Sequence, residues 1–249
     1  MQLGSSMRRR HRGYVVLLLT CLGLMVCLML PRGLRQLAAF GYVVLPLVLI
    51  QALGMPIQEG RWPGVRMQGF RLLGLVTLVA SLIWYFTPLS QRGTGVPLLV
   101  LWTSLVIWSC ERLIRNLSCE KLINREVLLG ALAGYLLLGL AAGLLFSALE
   151  TVAPGSFSAS RSLDGPVLRW HGATADPSSP VWAVDFVELN YFAFVTLTTT
   201  GYGDIHPVTP QTQMLCVLVA ISGTTYLALV MGLLISRYTA RGVEDDLER

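Results

Sequence analysis

The residues best suited to chemistry sit together at 196–204, Thr-Leu-Thr-Thr-Thr-Gly-Tyr-Gly-Asp. This run offers oxygen in the form of threonine hydroxyls, a phenol, a terminal carboxylate and the backbone carbonyls. It pairs no nucleophile with a base and contains no histidine or cysteine. Oxygen donors suit a hard cation that has shed its water, because the lost hydration must be replaced at close range. Backbone carbonyls can replace it if successive carbonyls point the same way. That demands angles most residues resist and glycine tolerates, and Gly201 and Gly203 supply the freedom two residues apart. Other chemistries find little support. Cys21, Cys27, Cys110, Cys119 and Cys216 lie in or beside apolar runs without a CxxC pair, so neither a disulfide framework nor a zinc site is expected. The three histidines, His11, His171 and His206, are scattered. No HExxH or GxSxG motif and no paired acids within an apolar run are present, so an enzyme is not expected.

The elements that must hold this segment are read from composition. Of 249 residues, 54% are hydrophobic and 13% charged, and mean hydropathy is +0.62. So few charges could not cover a water-soluble fold of that apolar content. Stretches free of Asp, Glu, Lys and Arg run over 13–31, 36–58, 72–91, 93–110, 127–149 and 205–236. Each is near the ~20 residues that cross a bilayer core, and their apolar residues surround the helix instead of forming one stripe. Six membrane helices are expected, near 14–30, 37–53, 70–87, 96–112, 126–149 and 210–236. The first follows Arg8, Arg9, Arg10 and Arg12 but lacks a small-residue cleavage site, so it reads as a retained helix. With both termini cytoplasmic, fourteen basic residues fall in inner segments and five in outer ones, the positive-inside asymmetry. That placement accounts for the net charge of +5 without nucleic acid as a partner.

Between the fifth and sixth helices, residues 150–185 are polar and rich in Pro, Ser and Gly, and read as an exposed outer loop. Residues 186–198 follow as a short apolar helix. Thirteen residues reach only ~20 Å, too short to cross, so the segment must enter the membrane and turn back. Irregular backbone at that depth survives only where protein or a water-filled path satisfies it.

In this setting, Thr-Thr-Thr-Gly-Tyr-Gly-Asp between a re-entrant helix and a final apolar span resembles the pore domain of tetrameric potassium channels. The resemblance covers residues 127–236 as outer helix, re-entrant helix, filter and inner helix. Residues 1–125 match the wider superfamily only in helix count. It implies an all-α membrane protein, and potassium conduction through a homotetramer with one filter strand per chain. It also implies ion ligation by the carbonyls of Thr199, Thr200, Gly201 and Tyr202 in the filter 199–203, which Gly203 closes, with the Thr199 hydroxyl as innermost ligand. Asp204 would attract cations at the outer mouth. Tyr191, Phe192 and Val195 would support the filter from behind, with Tyr202 packed outward against Tyr191 and Phe192. No cofactor is implied beyond permeant K+. Two positions depart from the family pattern. Thr200 stands where valine is commonest, adding a hydroxyl behind the filter. Val195 stands where some bacterial relatives carry a buried carboxylate paired with the aspartate after the filter. A weakly selective cation channel shares the whole architecture and is the alternative.

Gating residues are expected in the last helix. Gly223 occupies the family's hinge position, although an interior glycine also marks close packing. Leu227, Met231 and Ile235 recur at four-residue spacing as a candidate constriction. Gly130, Gly134, Gly139 and Gly143 form two small-xxx-small pairs, a packing signal. Voltage sensing needs basic residues every third position within the fourth helix, and 98–110 contains none; only Arg112 and Arg115 follow. The domains are thus 1–125, a four-helix membrane unit without an arginine ladder; 126–236, the pore; and 237–249, a short cytoplasmic tail. Any cytoplasmic gating domain is expected to be a separate protein, and membrane lipid is the remaining partner.

Overall fold

Backbone held away from water must satisfy its own polar groups, so the long apolar runs fold as helices. The computed structural model describes residues 2–29, 35–53, 64–86, 96–118, 124–159 and 186–247. In chain order these form α1 (Gln2–Leu28), α2 (Arg35–Leu53), α3 (Gly64–Phe86), α4 (Val96–Ser118), α5 (Arg125–Val152) and β1 (Phe157–Ala159), then α6 (Phe186–Leu197), β2 (Ile205–Pro207), α7 (Pro210–Thr225), a π turn (Tyr226–Met231) and α8 (Gly232–Leu247). Three helical stretches are long and apolar enough to cross a membrane: Val96–Leu117, Arg125–Val152 and Pro210–Thr239. The apolar parts described in the first three helices are shorter, Arg12–Leu28, Val44–Leu53 and Met67–Ile83.

Helix ends differ from the sequence expectations in one consistent way. Hydropathy marks where hydrocarbon ends, whereas a helix continues into water until its backbone finds a stop. Hence α1 includes the basic run near its start, α4 reaches Ser118, and α8 carries the expected tail as helix to Leu247. The expected outer loop 150–185 is also corrected at its start. Glu150–Val152 belong to α5 and Phe157–Ala159 form β1; residues 160–185 lie outside the described residues. An all-α architecture gives way to one small sheet, β1 antiparallel to β2, with Phe157 opposite Pro207 and Ala159 opposite Ile205.

α5 organises the packing. It touches α1 and α4 on one side and α6 and α7 on the other, while α1 continues to α2, α2 to α3 and α3 to α4. One apolar core runs from Tyr14 and Leu17 of α1 through Leu105 and Leu113 of α4 to Leu137 of α5. A second gathers Phe146, Phe157, Leu189, Phe192 and Val219 around α6. The sequence boundary at 125 is therefore crossed by a continuous core.

The glycine stripe on α5 works as four sockets. A Cβ on Gly130 would stand 2.8 Å from the Tyr14 ring of α1. On Gly134 it would collide with the Tyr226 hydroxyl, on Gly139 with the Phe194 ring and on Gly143 with the Asn190 amide. The spacing read as backbone-to-backbone packing thus admits one large side chain from each of four positions. In the N-terminal helices, a side-chain hydrogen bond crosses from Trp102 Nε1 to Ser81 Oγ at 3.0 Å. The two basic residues at the end of α4 have local partners. The Arg112 guanidinium lies 4.5 Å from the Phe70 ring centre, and Arg115 pairs with Glu111 one turn earlier.

Candidate functional site

α6 leads into the 199–203 segment through its own C-terminal cap. Thr200 N donates to Val195 O at 3.0 Å and Thr199 N donates to Thr196 O at 3.0 Å. These are the six-to-one and five-to-two bonds of a Schellman stop, which requires a left-handed residue between them. That residue is Thr199, with φ +57°, the one non-glycine residue with positive φ among the described residues. Glycine normally fills this position. A β-branched residue there carries strain of roughly 1–3 kcal/mol.

The left-handed conformation recurs at every second residue, at Gly201 with φ +61° and Gly203 with φ +77°. Thr200 and Tyr202 have negative φ, so the sign alternates along the whole of 199–203. In an ordinary strand successive carbonyls alternate sides. A local hand that reverses at every second residue is the backbone pattern that can turn alternate peptide planes over and bring successive carbonyls toward one side. The left-handed Thr199 thus belongs both to the helix cap and to the alternating segment.

The strand is anchored behind and beyond. The Thr198 hydroxyl donates to Phe194 O at 2.7 Å and lies 2.8 Å from the Thr200 hydroxyl. Val195, expected as filter support, accepts from Thr200 N through its carbonyl. Tyr191 donates from its hydroxyl to Asp204 Oδ2 at 2.8 Å, and Asp204 Oδ1 accepts from Ile205 N at 3.0 Å. Phe192 instead joins Phe146 and Phe157, with ring centres 5.4 and 5.6 Å away. Tyr202 is 70% exposed in the single chain. Within the single chain Tyr202 is thus open, Tyr191 reaches Asp204, and Phe192 packs with Phe146 and Phe157.

Past Asp204 the chain is held by residues that the sequence reading placed in the loop. Glu150, only 1% exposed, accepts from Gly155 N at 2.8 Å through Oε1 and from Phe157 N at 3.1 Å through Oε2. The turn fixed in this way presents Ser156 O, which accepts from Val208 N at 2.8 Å and from the Thr212 hydroxyl at 3.1 Å. Thr209 then caps α7 and Pro210 takes its first position. Glu150 was legible only as a lone acid at the end of an apolar run.

The inner helix departs further from expectation. Gly223 lies against the C-terminal turn of α6, where a Cβ would strike the Leu197 carbonyl. This contact supplies the close-packing reason for a glycine here. The three residues of the expected stripe, Leu227, Met231 and Ile235, differ in exposure within the single chain. Leu227 and Ile235 are exposed in the single chain, whereas Met231 packs against the main core beside buried Leu234. Four-residue spacing holds a face in an α-helix, and the wider π turn rotates Met231 away from it. The turn begins at buried Tyr226, whose hydroxyl donates to Ala131 O of α5 at 2.6 Å.

A family model described as "Ion channel" matches residues 164–240, less than half of the chain but including α6, the 199–203 strand and the inner helix. No curated protein and no solved structure matches the chain. Over these residues the chain is similar to ion channels, a non-enzymatic family whose members conduct ions passively, and three of its helical stretches are long and apolar enough to cross a membrane.

Proposed function

We propose that this chain is one subunit of a homotetrameric potassium-selective channel. The observation that carries the reading is the alternating φ sign over 199–203, started by the cap of a short helix inside the ion channel match. Carbonyls of Thr199, Thr200, Gly201 and Tyr202, ringed fourfold, replace the hydration of a potassium ion, and the Thr199 hydroxyl adds the innermost ligands. The C-terminal dipole of α6 points its negative end toward the same region and favours a cation there. Asp204, braced by Tyr191, sets a negative outer mouth.

Assembly follows from what one chain leaves uncovered. Residues 198–203 are all exposed in the single chain. In the most apolar stretch of α5, 67% of residues are buried within the chain, against 17% for Pro210–Thr239. One strand cannot surround an ion, and an inner helix this apolar needs lipid or sister subunits along most of its length. The shorter apolar helices α1 to α3 complete a six-span subunit with both termini cytoplasmic, supported by the distribution of basic residues. α4 carries no arginine ladder, so opening is independent of an intrinsic voltage sensor.

The test is the reversal potential of purified protein in planar bilayers under opposed potassium and sodium gradients. Wild type reverses near the potassium equilibrium potential with open probability flat in voltage. Gly201→Ala abolishes the selective current, because alanine at φ +61° costs ~1–2 kcal/mol in each of four chains. A reversal near zero would replace this reading by weakly selective cation conduction. Steep voltage dependence would overturn the sensorless reading.

A further inference from the structure

We propose that Thr200 is a positioning residue whose hydroxyl, bonded to Thr198, keeps the filter in its ion-coordinating conformation when ions are scarce. The inference rests on the potassium-pore reading above and concerns how this chain braces that pore.

Thr198 has one hydroxyl proton, and the 2.7 Å bond to Phe194 O uses it. In the 2.8 Å contact between the two hydroxyls, Thr200 is therefore the donor and Thr198 the acceptor. The result is a three-member strut: the carbonyl of Phe194 in the last turn of α6, the Thr198 hydroxyl and the Thr200 hydroxyl. Together with the bond from Thr200 N to Val195 O, it ties Thr200 to the helix through both backbone and side chain. The tie matters because of what flanks it. Thr199 and Gly201, on either side of Thr200, both stand in the left-handed region, and glycine gives no steric resistance to leaving it. The apolar side chain of Val195 offers no acid to brace the strand, and Asp204 is occupied by Tyr191 and Ile205 N. Among the described residues, the hydroxyl strut is what holds the side chain of the second carbonyl-bearing residue.

Carbonyl dipoles aimed at one axis repel each other, and a bound cation offsets that repulsion. Ion binding therefore stabilises the coordinating conformation by linkage, in proportion to ion concentration over its dissociation constant. Any internal bond that favours the same conformation lowers the ion concentration needed to hold it. One neutral hydrogen bond corresponds to a factor of about two to ten.

The experiment steps bath potassium downward on single channels in bilayers and records the concentration at which half the conductance is lost, for wild type, Thr200→Val, Thr200→Ser, Thr198→Val and the double valine variant. Thr200→Val keeps the shape and removes the hydroxyl, and should raise that concentration about two- to tenfold. Thr200→Ser should stay at the wild-type value. The double variant should exceed neither single variant appreciably, since both break one strut. If Thr198→Val does not assemble, the valine and serine variants at 200 decide the matter. Unchanged half-loss in Thr200→Val, or the same rise in Thr200→Ser, overturns the strut while leaving potassium selectivity standing. A wild-type reversal near zero under opposed gradients overturns the potassium reading and the strut with it.

Discussion

The two ends of α5 are held in different ways. At its C-terminal end Glu150 clasps the 155–157 turn, Ser156 O receives Val208 and Thr212, and β1 pairs with β2. At its N-terminal half, Tyr14 and Tyr226 fill sockets at Gly130 and Gly134, and the 2.6 Å bond from Tyr226 to Ala131 O is the hydrogen bond found there between α5 and the inner helix. Hydrogen bonds fix angle as well as distance, whereas apolar contact is non-directional and accepts several arrangements. The first kind of support suits the proposed filter strand, whose reading requires oxygens held at fixed positions. The second suits an inner helix whose π turn already departs from regular geometry.

That contrast can be broken at chosen points. The largest effect is expected from Glu150→Ala, which orphans two backbone donors at roughly 1–3 kcal/mol each. Thermal unfolding of the purified protein should fall clearly and conduction should be lost, with Glu150→Gln losing less. If Glu150→Ala kept both wild-type stability and conduction, the outer end would not depend on its clasp. Gly223→Ala comes next. Its methyl meets the Leu197 carbonyl, a backbone atom that cannot swing aside, so overpacking of ~1–3 kcal/mol is expected. The disturbance should enter the filter from below and weaken potassium over sodium discrimination; a change in opening alone would restore the hinge reading. Tyr226→Phe should be mildest, removing one bond of ~0.5–1.5 kcal/mol while keeping the ring in its socket. Single-channel recording should show altered open probability at an unchanged reversal potential. A shifted reversal would mean that the two ends are not separable.

Much of the site was legible because its requirements are local. Alternating backbone hand needs residues that tolerate positive φ, and Gly201 and Gly203 announce two of the three positions. The third, Thr199, was hidden because its conformation comes from the helix cap and not from its own preference. Leu227, Met231 and Ile235 were read as one stripe on the premise of a regular helix, and the π turn interrupts that regularity. Tyr191 and Phe192 were named as filter support through the family resemblance alone, which did not tell which of the two would reach Asp204.

By itself the sequence determined the apolar stretches, the charge asymmetry and the glycine-spaced oxygen strand, all of which depend on each residue's own affinity for water or its own backbone freedom. Only the tertiary structure decided which side chain enters each glycine of α5, that Glu150 is enclosed by a turn, and that Tyr226 bonds a carbonyl 95 residues away. Those outcomes depend on which surfaces meet, and a partner's identity is a property of the packed pair that neither residue carries alone.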